Sequence, residues 1–178
     1  MRLKLICCDV FARIACRLLS QSPNTVDVEF VHMLAHNEPE KLRRELEARI
    51  RRSEEEGRYD AILLGFGICG NATAGLYSSL PLVIPRAHDC CTVFLGSKEA
   101  FLRHFGHALS TQWRTSGYFE RCDLAPGGAG DSQYKTSAEY MKLVEQFGDD
   151  NADYVWETLH PEPQEKEAVY IRIEGYEP

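Results

Sequence analysis

Two kinds of hydrophobic periodicity alternate along the first 105 or so residues of this chain. Apolar or alternating runs of strand length occupy residues 2–7, 26–31, 59–65 and 80–84. Each is followed by a segment that favours a helix, at residues 10–19, 37–57, 70–79 and 97–105. This alternation is typical of a doubly wound parallel sheet. We therefore predict an α/β fold of the Rossmann-like or flavodoxin-like kind, with four to five parallel strands, helices on both faces and additional C-terminal helices.

The regular pattern ends near residue 108, but the length of 178 residues is typical of one domain. We expect a single α/β domain over residues 1–178, with βα repeats in residues 1–108 and an irregular part in residues 109–178. In the irregular part we predict a short strand or active-site cover, a glycine-rich loop, two helices, a charged linker and a final strand. Their expected positions are residues 111–120, 126–131, 136–147, 151–159, 160–167 and 169–173.

The charge of the chain limits its partners. The formal net charge is −7 and the isoelectric point is near 5.4, whereas proteins that bind nucleic acids usually carry a basic stripe. No apolar stretch approaches the length of about 20 residues that a membrane-spanning helix needs. We therefore expect neither a nucleic-acid partner nor a membrane partner.

The cysteine content indicates the compartment. The chain has seven cysteines at irregular spacing, and Asp9 and Arg13 interrupt the N-terminal apolar run too early for a signal peptide. Without export, disulfides are not expected, and the thiols should be reduced, metal-bound or reactive. We predict a cytoplasmic protein.

Four potential metal ligands lie just past the predicted strands: Cys8 after the first, Cys69 after the third, and His88 with Cys90 in a loop after the fourth. The carboxyl ends of parallel strands meet at one edge of an open sheet, where such folds build their binding crevice. Three thiols and one imidazole suit zinc or another transition metal. The alternative is that Cys69 and Cys90 are small buried residues, as free cysteines often are.

Three further residues are candidates for chemistry at the same edge. His36 can serve as an additional ligand or a general base, or it can hydrogen-bond within a turn. Asp89 can support the imidazole of His88 as a hydrogen-bond acceptor, or it can face away from the site. Arg86 can hold a carboxylate or phosphate of an anionic ligand, or it can form a structural salt bridge.

Residues 65–70 match the pattern GxGxxG, but this segment follows the third predicted strand, and the acidic residue expected about 20 positions further on is missing. Dinucleotide binding is therefore disfavoured. We expect a glycine turn in which Gly67, Gly70 and Asn71, together with Arg86, contact a ligand. The turn would also present Cys69 at a helix N-terminus, where the thiol pKa is lowered.

Much of the chain up to about residue 160 resembles domain-of-unknown-function family 1638, whose members are bacterial and archaeal. The segments that carry the resemblance are Cys8, 36–39, 59–71, 81–90, 95–97 and 148–152. The resemblance singles out Cys8, Cys69, His88 and Cys90 among the cysteines and histidines. It also implies an association with corrinoid-dependent methyltransferase systems. Members of the family continue with further βα structure, so the resemblance leads us to expect that the C-terminal part of this chain is shortened.

Together these features predict a metal-binding protein, with zinc as the first choice. It would be a metalloenzyme that acts on a small anionic or one-carbon (methyl) substrate. The first alternative is a non-catalytic accessory protein that handles a metal or a corrinoid for a methyltransferase partner. The second alternative is a metal-free enzyme that uses the thiol of Cys69 or Cys90. The sequence leaves open whether the protein is an enzyme.

Overall fold

A computed structural model describes residues 1–106, 112–121, 138–159, 168–173 and 175. The chain divides into two compact units, residues 1–121 with 169–178 and residues 122–168. The expectation of one domain over residues 1–178 stays a prediction. The predicted loop at residues 126–131 and linker at residues 160–167 lie outside the described residues.

The first unit contains a sheet of four parallel strands in the order β2-β1-β3-β4. Its strands are β1 (Arg2–Cys8), β2 (Thr25–Val31), β3 (Ala61–Gly65) and β4 (Leu82–Val83). The helices of this unit are α1 (Ala12–Ser20), α2 (Pro39–Glu55), α3 (Cys90–Leu95), α4 (Lys98–Phe105) and α5 (Ser116–Arg121). The predicted α/β fold with a four-stranded parallel sheet is confirmed.

The strand order places a reversal of direction beside the central strand. The chain passes from β1 to β2 on one side, and then crosses back to β3 on the other side of β1. The carboxyl ends of β1 and β3 are therefore neighbours at the point where open α/β sheets form a crevice. Cys8 is the last residue of β1, and the segment that carries Cys69 leaves β3 at the same edge.

Apolar side chains pack on both faces of the sheet. On one face, Leu42, Leu46 and Ile50 of α2 are at most 2% exposed and pack against strand residues such as Ile6 and Ile62. Their spacing of four residues gives α2 a single apolar stripe. On the other face, the core is formed around Cys7, Val10, Phe11 and Met33, with Val93 and Phe94 of α3 packed against them.

β4 is a very short strand at the edge of the sheet. Only Leu82 and Val83 pair with β3, and Pro81 and Pro85 stand on either side of the strand and its neighbour Ile84. Val83 is 54% exposed and Ile84 is 37% exposed. In the described part of the chain, no strand lies beyond β4.

Two local predictions were wrong. The helix predicted at residues 70–79 is absent, because residues 69–75 form turns in which Cys69, Gly70 and Asn71 have φ angles of +46°, +62° and +68°. These left-handed angles are incompatible with a right-handed helix. Cys90 was expected in a loop, but it is the first residue of α3, which Asp89 caps.

A second, two-stranded sheet joins β5 (Gln112–Arg114) and β6 (Ala168–Tyr170). The predicted strand or cover at residues 111–120 therefore consists of β5 and α5. The predicted final strand is present in its first part. Residues of the second unit form α6 (Ala138–Phe147) and α7 (Asp149–Leu159), in which Tyr140 donates a 2.6 Å hydrogen bond to Asp153. Among the described helices, none combines the length and the apolar character required to cross a membrane.

Candidate functional site

Three cysteines from separate segments line one cavity of about 390 Å³ at the carboxyl edge of the main sheet. Cys8 ends β1, Cys69 lies in the turn after β3, and Cys90 begins α3. We call this space the thiol cavity. The three side chains are partly buried, and the ionised thiols of Cys8 and Cys69 would each raise the pKa of Cys90. The fold thus brings the three predicted thiol ligands close enough for the charge of one to shift the pKa of another.

Burial dominates the acid–base behaviour of these thiols. It raises the pKa of Cys8 to about 12, and it raises the pKa values of Cys69 and Cys90 as well. The lowered pKa that we expected for Cys69 at a helix N-terminus is wrong, because residues 69–75 form no helix and desolvation disfavours the thiolate. In the absence of a cation, all three groups are therefore thiols at neutral pH.

Two histidines among the predicted site residues also line the thiol cavity. The side chain of His88 is 86% exposed, and its Nδ1 lies 3.5 Å from Oδ2 of Asp89. His36 is also an exposed residue, but its Nδ1 is hydrogen-bonded to the carbonyl of Met33. Since a carbonyl only accepts, Nδ1 of His36 carries a proton, and the neutral ring then has its lone pair on Nε2. This backbone hydrogen bond is the support that metal-binding histidines commonly have.

Asp89 holds the turn that contains His88 and Cys90. Its Oδ1 accepts hydrogen bonds from the backbone nitrogen of Thr92 at 2.8 Å and from the Thr92 hydroxyl at 2.9 Å. This is an N-cap of α3. The remaining oxygen faces His88 at the long distance given above, so the predicted support of the imidazole is at most weak in this arrangement.

The glycines of the GxGxxG segment make close packing contacts. A Cβ atom on Gly65 would lie 2.4 Å from Sγ of Cys7, and one on Gly67 would lie 2.6 Å from Cα of Asp89. Gly70 has a φ of +62°, and a Cβ atom there would lie 2.9 Å from Pro39. The backbone of Gly67 thus lies against the backbone of Asp89, and the predicted contact of this turn with a ligand stays a prediction.

Hydrogen bonds fix the glycine turn to its neighbours. The backbone nitrogens of Ile68 and Cys69 donate to the carbonyls of Ala87 and His88 at 3.0 and 3.3 Å. From α2, the guanidinium of Arg43 donates to the carbonyl of Asn71 at 2.6 Å and also to the carbonyl of Ala74. These bonds set the position of Cys69 relative to the turn that carries His88 and Cys90.

Aromatic residues of β5 and α5 cover the thiol cavity. Trp113, Arg114 and Tyr118 line it, with the rings of Trp113 and Tyr118 in an edge-to-face contact at 6.3 Å. The Arg114 guanidinium lies 4.7 Å from the centre of the Tyr118 ring. α5 packs closely here, because Gly117 lies against the carbonyl of Val10. The sequence predicted a cover in this region but did not identify its residues. The only signal was the aromatic character of the segment.

Arg86 and Asn71 do not line the thiol cavity. They line a second cavity of about 830 Å³, which also contains His88 and Asp89 on its wall. We call this space the second cavity. Gly67 and Gly70 line the thiol cavity. The sequence placed all of these residues in one crevice, because it could not show that the turn at His88 and Asp89 divides it in two.

The arrangement lacks a preformed metal cluster. Within residues 1–106, 112–121, 138–159 and 168–175, excluding 174, no group of three or more His, Cys, Asp or Glu side chains has the geometry to hold an ion.

His32 also lines the thiol cavity, and sequence reasoning missed it. Its Nδ1 accepts a hydrogen bond from the backbone nitrogen of Leu34 at 3.3 Å. The signal that could have found it is its position immediately after β2.

Comparisons with known proteins identify a family but no closer relative. Neither the curated proteins nor the solved structures include a match to this chain. A family model matches residues 30–172, a range that includes Cys69, His88 and Cys90 but not Cys8. The chain therefore belongs to the family described as "Protein of unknown function (DUF1638)".

Proposed function

We propose that this protein binds a transition metal, zinc first of all, and uses it to act on a small molecule in the thiol cavity. The ligands would be the thiolates of Cys8, Cys69 and Cys90 and one imidazole. The observation that carries the proposal is the convergence of three cysteines from separate segments on a single cavity at the carboxyl edge of the sheet.

The chemistry of the donors fits a soft or borderline cation. Three neighbouring thiols and an imidazole suit zinc and similar ions, and they do not suit magnesium, which requires oxygen ligands. A divalent cation would also stabilise the thiolates that burial disfavours. Because the described residues contain no preformed cluster, binding requires side chains in the turns around Cys69 and Cys90 to rotate toward the ion.

The cavity supports an action on a small molecule more than a purely structural role. Its volume of about 390 Å³ falls at the lower end of small-molecule sites, which span about 300–1000 Å³. A bound ion would supply Lewis acidity to such a ligand. The aromatic rings of Trp113 and Tyr118 would exclude water, and the free Nε2 of His36 could hold a proton or bind the ion.

The two alternatives have less support. A metal-free thiol enzyme needs a reactive thiolate, but burial raises the pKa values of both Cys69 and Cys90. A role in corrinoid handling rests on the family resemblance. The thiol cavity is small for a corrinoid macrocycle, so an accessory role would concern the metal more than the corrinoid.

The metal content of the purified protein tests the proposal directly. We expect about one zinc or competing transition-metal ion per chain, and we expect the double variant Cys69→Ser/Cys90→Ser to lose it, since removal of two thiolate ligands leaves too few donors. The measurement is elemental analysis of protein prepared without chelator, followed by zinc titration of the metal-free form. Cys16→Ser, an exposed cysteine outside the cavity, is the matched control and should keep the ion. Equal metal content in the double variant and the control would contradict the proposal.

The fourth ligand can be identified by comparing two histidine variants. We expect His36→Ala to weaken zinc binding at least tenfold, because the backbone hydrogen bond of His36 already orients Nε2 for an ion. His88→Ala should have a smaller effect, since the His88 ring has only a 3.5 Å contact with Asp89 to orient it. Zinc affinities from competition with a chromophoric chelator would rank the two variants. The opposite ranking would make His88, the ligand predicted from the sequence, the fourth donor.

A further inference from the structure

We propose that the second cavity binds a small soluble molecule that has an anionic head, a phosphate or carboxylate, and an apolar body. This site is separate from the proposed metal ligands Cys8, Cys69 and Cys90, none of which lines it. The inference does not depend on metal binding.

Two cations at this cavity are available to an anion. Arg86 and Lys98 are both exposed residues on its wall. Among the described residues, neither side chain forms a hydrogen bond or salt bridge, although Lys98 lies next to Glu99 in α4. Asp89 is the one acidic residue on this wall within the described part of the chain, and its Oδ1 is already bonded to Thr92. Two cations against the one carboxylate of Asp89 leave this wall positive in a chain with a net charge of −7, and the planar guanidinium suits a phosphate or carboxylate.

Apolar side chains form most of the remaining wall. Ile68, Ile84 and Leu102 line the cavity and are 41%, 37% and 48% exposed, and Phe101 lies beside them. Large apolar groups that gather at one exposed cavity are typical of a binding site. They give the ligand its second property, an apolar body that replaces water against these side chains.

The polar groups of the wall restrict the ligand further. The hydroxyl of Thr73 donates to the carbonyl of Gly67 at 3.1 Å, and the hydroxyl of Thr92 donates to Asp89. These two donors are therefore committed within the protein. What remains for a ligand is the pair of cations, the exposed imidazole of His88 and the exposed side chain of Asn71. A ligand with one anionic head matches this set better than a polyhydroxylated one.

The size of the cavity agrees with this class. A volume of about 830 Å³ lies within the range of about 300–1000 Å³ for small-molecule sites. His88 and Asp89 line both cavities. A molecule bound here would therefore lie beside the thiol cavity, separated from it by a single turn.

Octyl phosphate is a simple probe of this class, and its binding can be measured by titration calorimetry below its micelle concentration. Wild-type protein should bind it, and the double variant Arg86→Gln/Lys98→Gln should bind it at least tenfold more weakly, equivalent to about 1.4 kcal/mol. Arg44→Gln, a change of charge at an exposed residue of α2 outside both cavities, should leave affinity unchanged. Leu102→Ser should also weaken binding, because it removes part of the apolar wall.

Chemical controls distinguish the proposed site from general surface binding. Octyl glucoside, which is neutral, should bind at least tenfold more weakly than octyl phosphate. Inorganic phosphate should also bind at least tenfold more weakly than octyl phosphate, because it lacks the apolar body. Equal binding of the neutral probe, or equal affinity in the Arg86→Gln/Lys98→Gln variant, would overturn the proposal. Retention of the wild-type protein on phosphatidylglycerol vesicles, lost in that variant, would also overturn it, because the anion would then be a lipid surface.

Binding at the second cavity can be tested independently of metal binding. The variant Cys69→Ser/Cys90→Ser should bind octyl phosphate with wild-type affinity, since neither cysteine lines the second cavity. A loss of probe binding in this cysteine variant would contradict the independence of the two sites.

Discussion

Replacement of Gly67 by alanine should lower the free energy of unfolding by about 3 kcal/mol, a large overpacking effect. The new Cβ atom would lie 2.6 Å from Cα of Asp89 and 2.8 Å from the backbone nitrogen and carbonyl carbon of the same residue. A backbone cannot give way as a flexible side chain can, so the turn that carries His88 and Cys90 must move. For a domain of this size, the melting temperature should fall by about 6–12 °C.

The same variant should also lose most of its zinc affinity, because Cys90 would move relative to Cys8 and Cys69. Gly57→Ala is the control. Gly57 has a φ of +64° but open space where its Cβ atom would lie, so its cost is backbone strain of about 1–2 kcal/mol. Gly57 follows α2 and does not line the thiol cavity. The Gly57→Ala variant should therefore keep its zinc. Thermal unfolding and zinc titration of both variants are the measurements. Wild-type zinc affinity in Gly67→Ala would show that the contact with Asp89 does not position the ligands.

Zinc binding to the metal-free protein near pH 7.5 should release about three protons per ion. Burial raises the pKa of Cys8 to about 12 and raises those of Cys69 and Cys90, so all three groups are protonated before the ion arrives. Each must lose its proton to become a ligand. Since protons and zinc compete for the same groups, affinity should rise with pH by about three powers of ten per pH unit as long as the thiols of the free protein stay protonated.

Calorimetry in buffers of different ionisation enthalpy counts the protons released. The Cys69→Ser variant, if it retains measurable affinity, should release about one proton fewer, because it contributes one thiol fewer. A release near zero in the wild-type protein would mean that the thiols are already ionised or do not bind the ion. That result would revive the metal-free thiol enzyme as an explanation of the site.

The sheet and the meeting of the cysteines were predictable from the sequence, for one physical reason. A continuous apolar run such as residues 61–65 indicates a strand buried on both faces, and such strands are parallel in α/β proteins. Parallel strands end at the same edge, so residues that follow them lie close together. Cys8, Cys69 and Cys90 share the thiol cavity because of this rule.

The turn at residues 69–75 could not be predicted from local sequence preferences. Alanines and glycines there are compatible with a helix, but contacts from α2 hold the segment in a left-handed turn, with Arg43 on the carbonyls of Asn71 and Ala74 and Pro39 against Gly70. Tertiary contacts override weak local preferences. The placement of Arg86 in a different cavity from the cysteines could not be predicted either, because it depends on how the turn at residues 69–75 packs.

Other features had a signal in the sequence that was missed. Asp89 stands three residues before Thr92 at the start of an apolar segment, which is a recognisable N-cap position for a short helix. That signal would have placed Cys90 at the beginning of α3. The orientation of His36 had no such signal, because its hydrogen bond to Met33 depends on the turn that follows β2.

The short edge strand has a consequence for self-association. An exposed apolar edge strand normally offers unpaired backbone groups on which another chain can add a strand, which leads to aggregation. Val83 of β4 and the adjacent Ile84 are exposed, but β4 is only two residues long and Pro81 and Pro85 flank this segment, so it offers few residues on which another strand can add. The short length of the strand, set by the two prolines, therefore lets the protein keep Ile84 exposed at the rim of the second cavity while offering little template for a further strand.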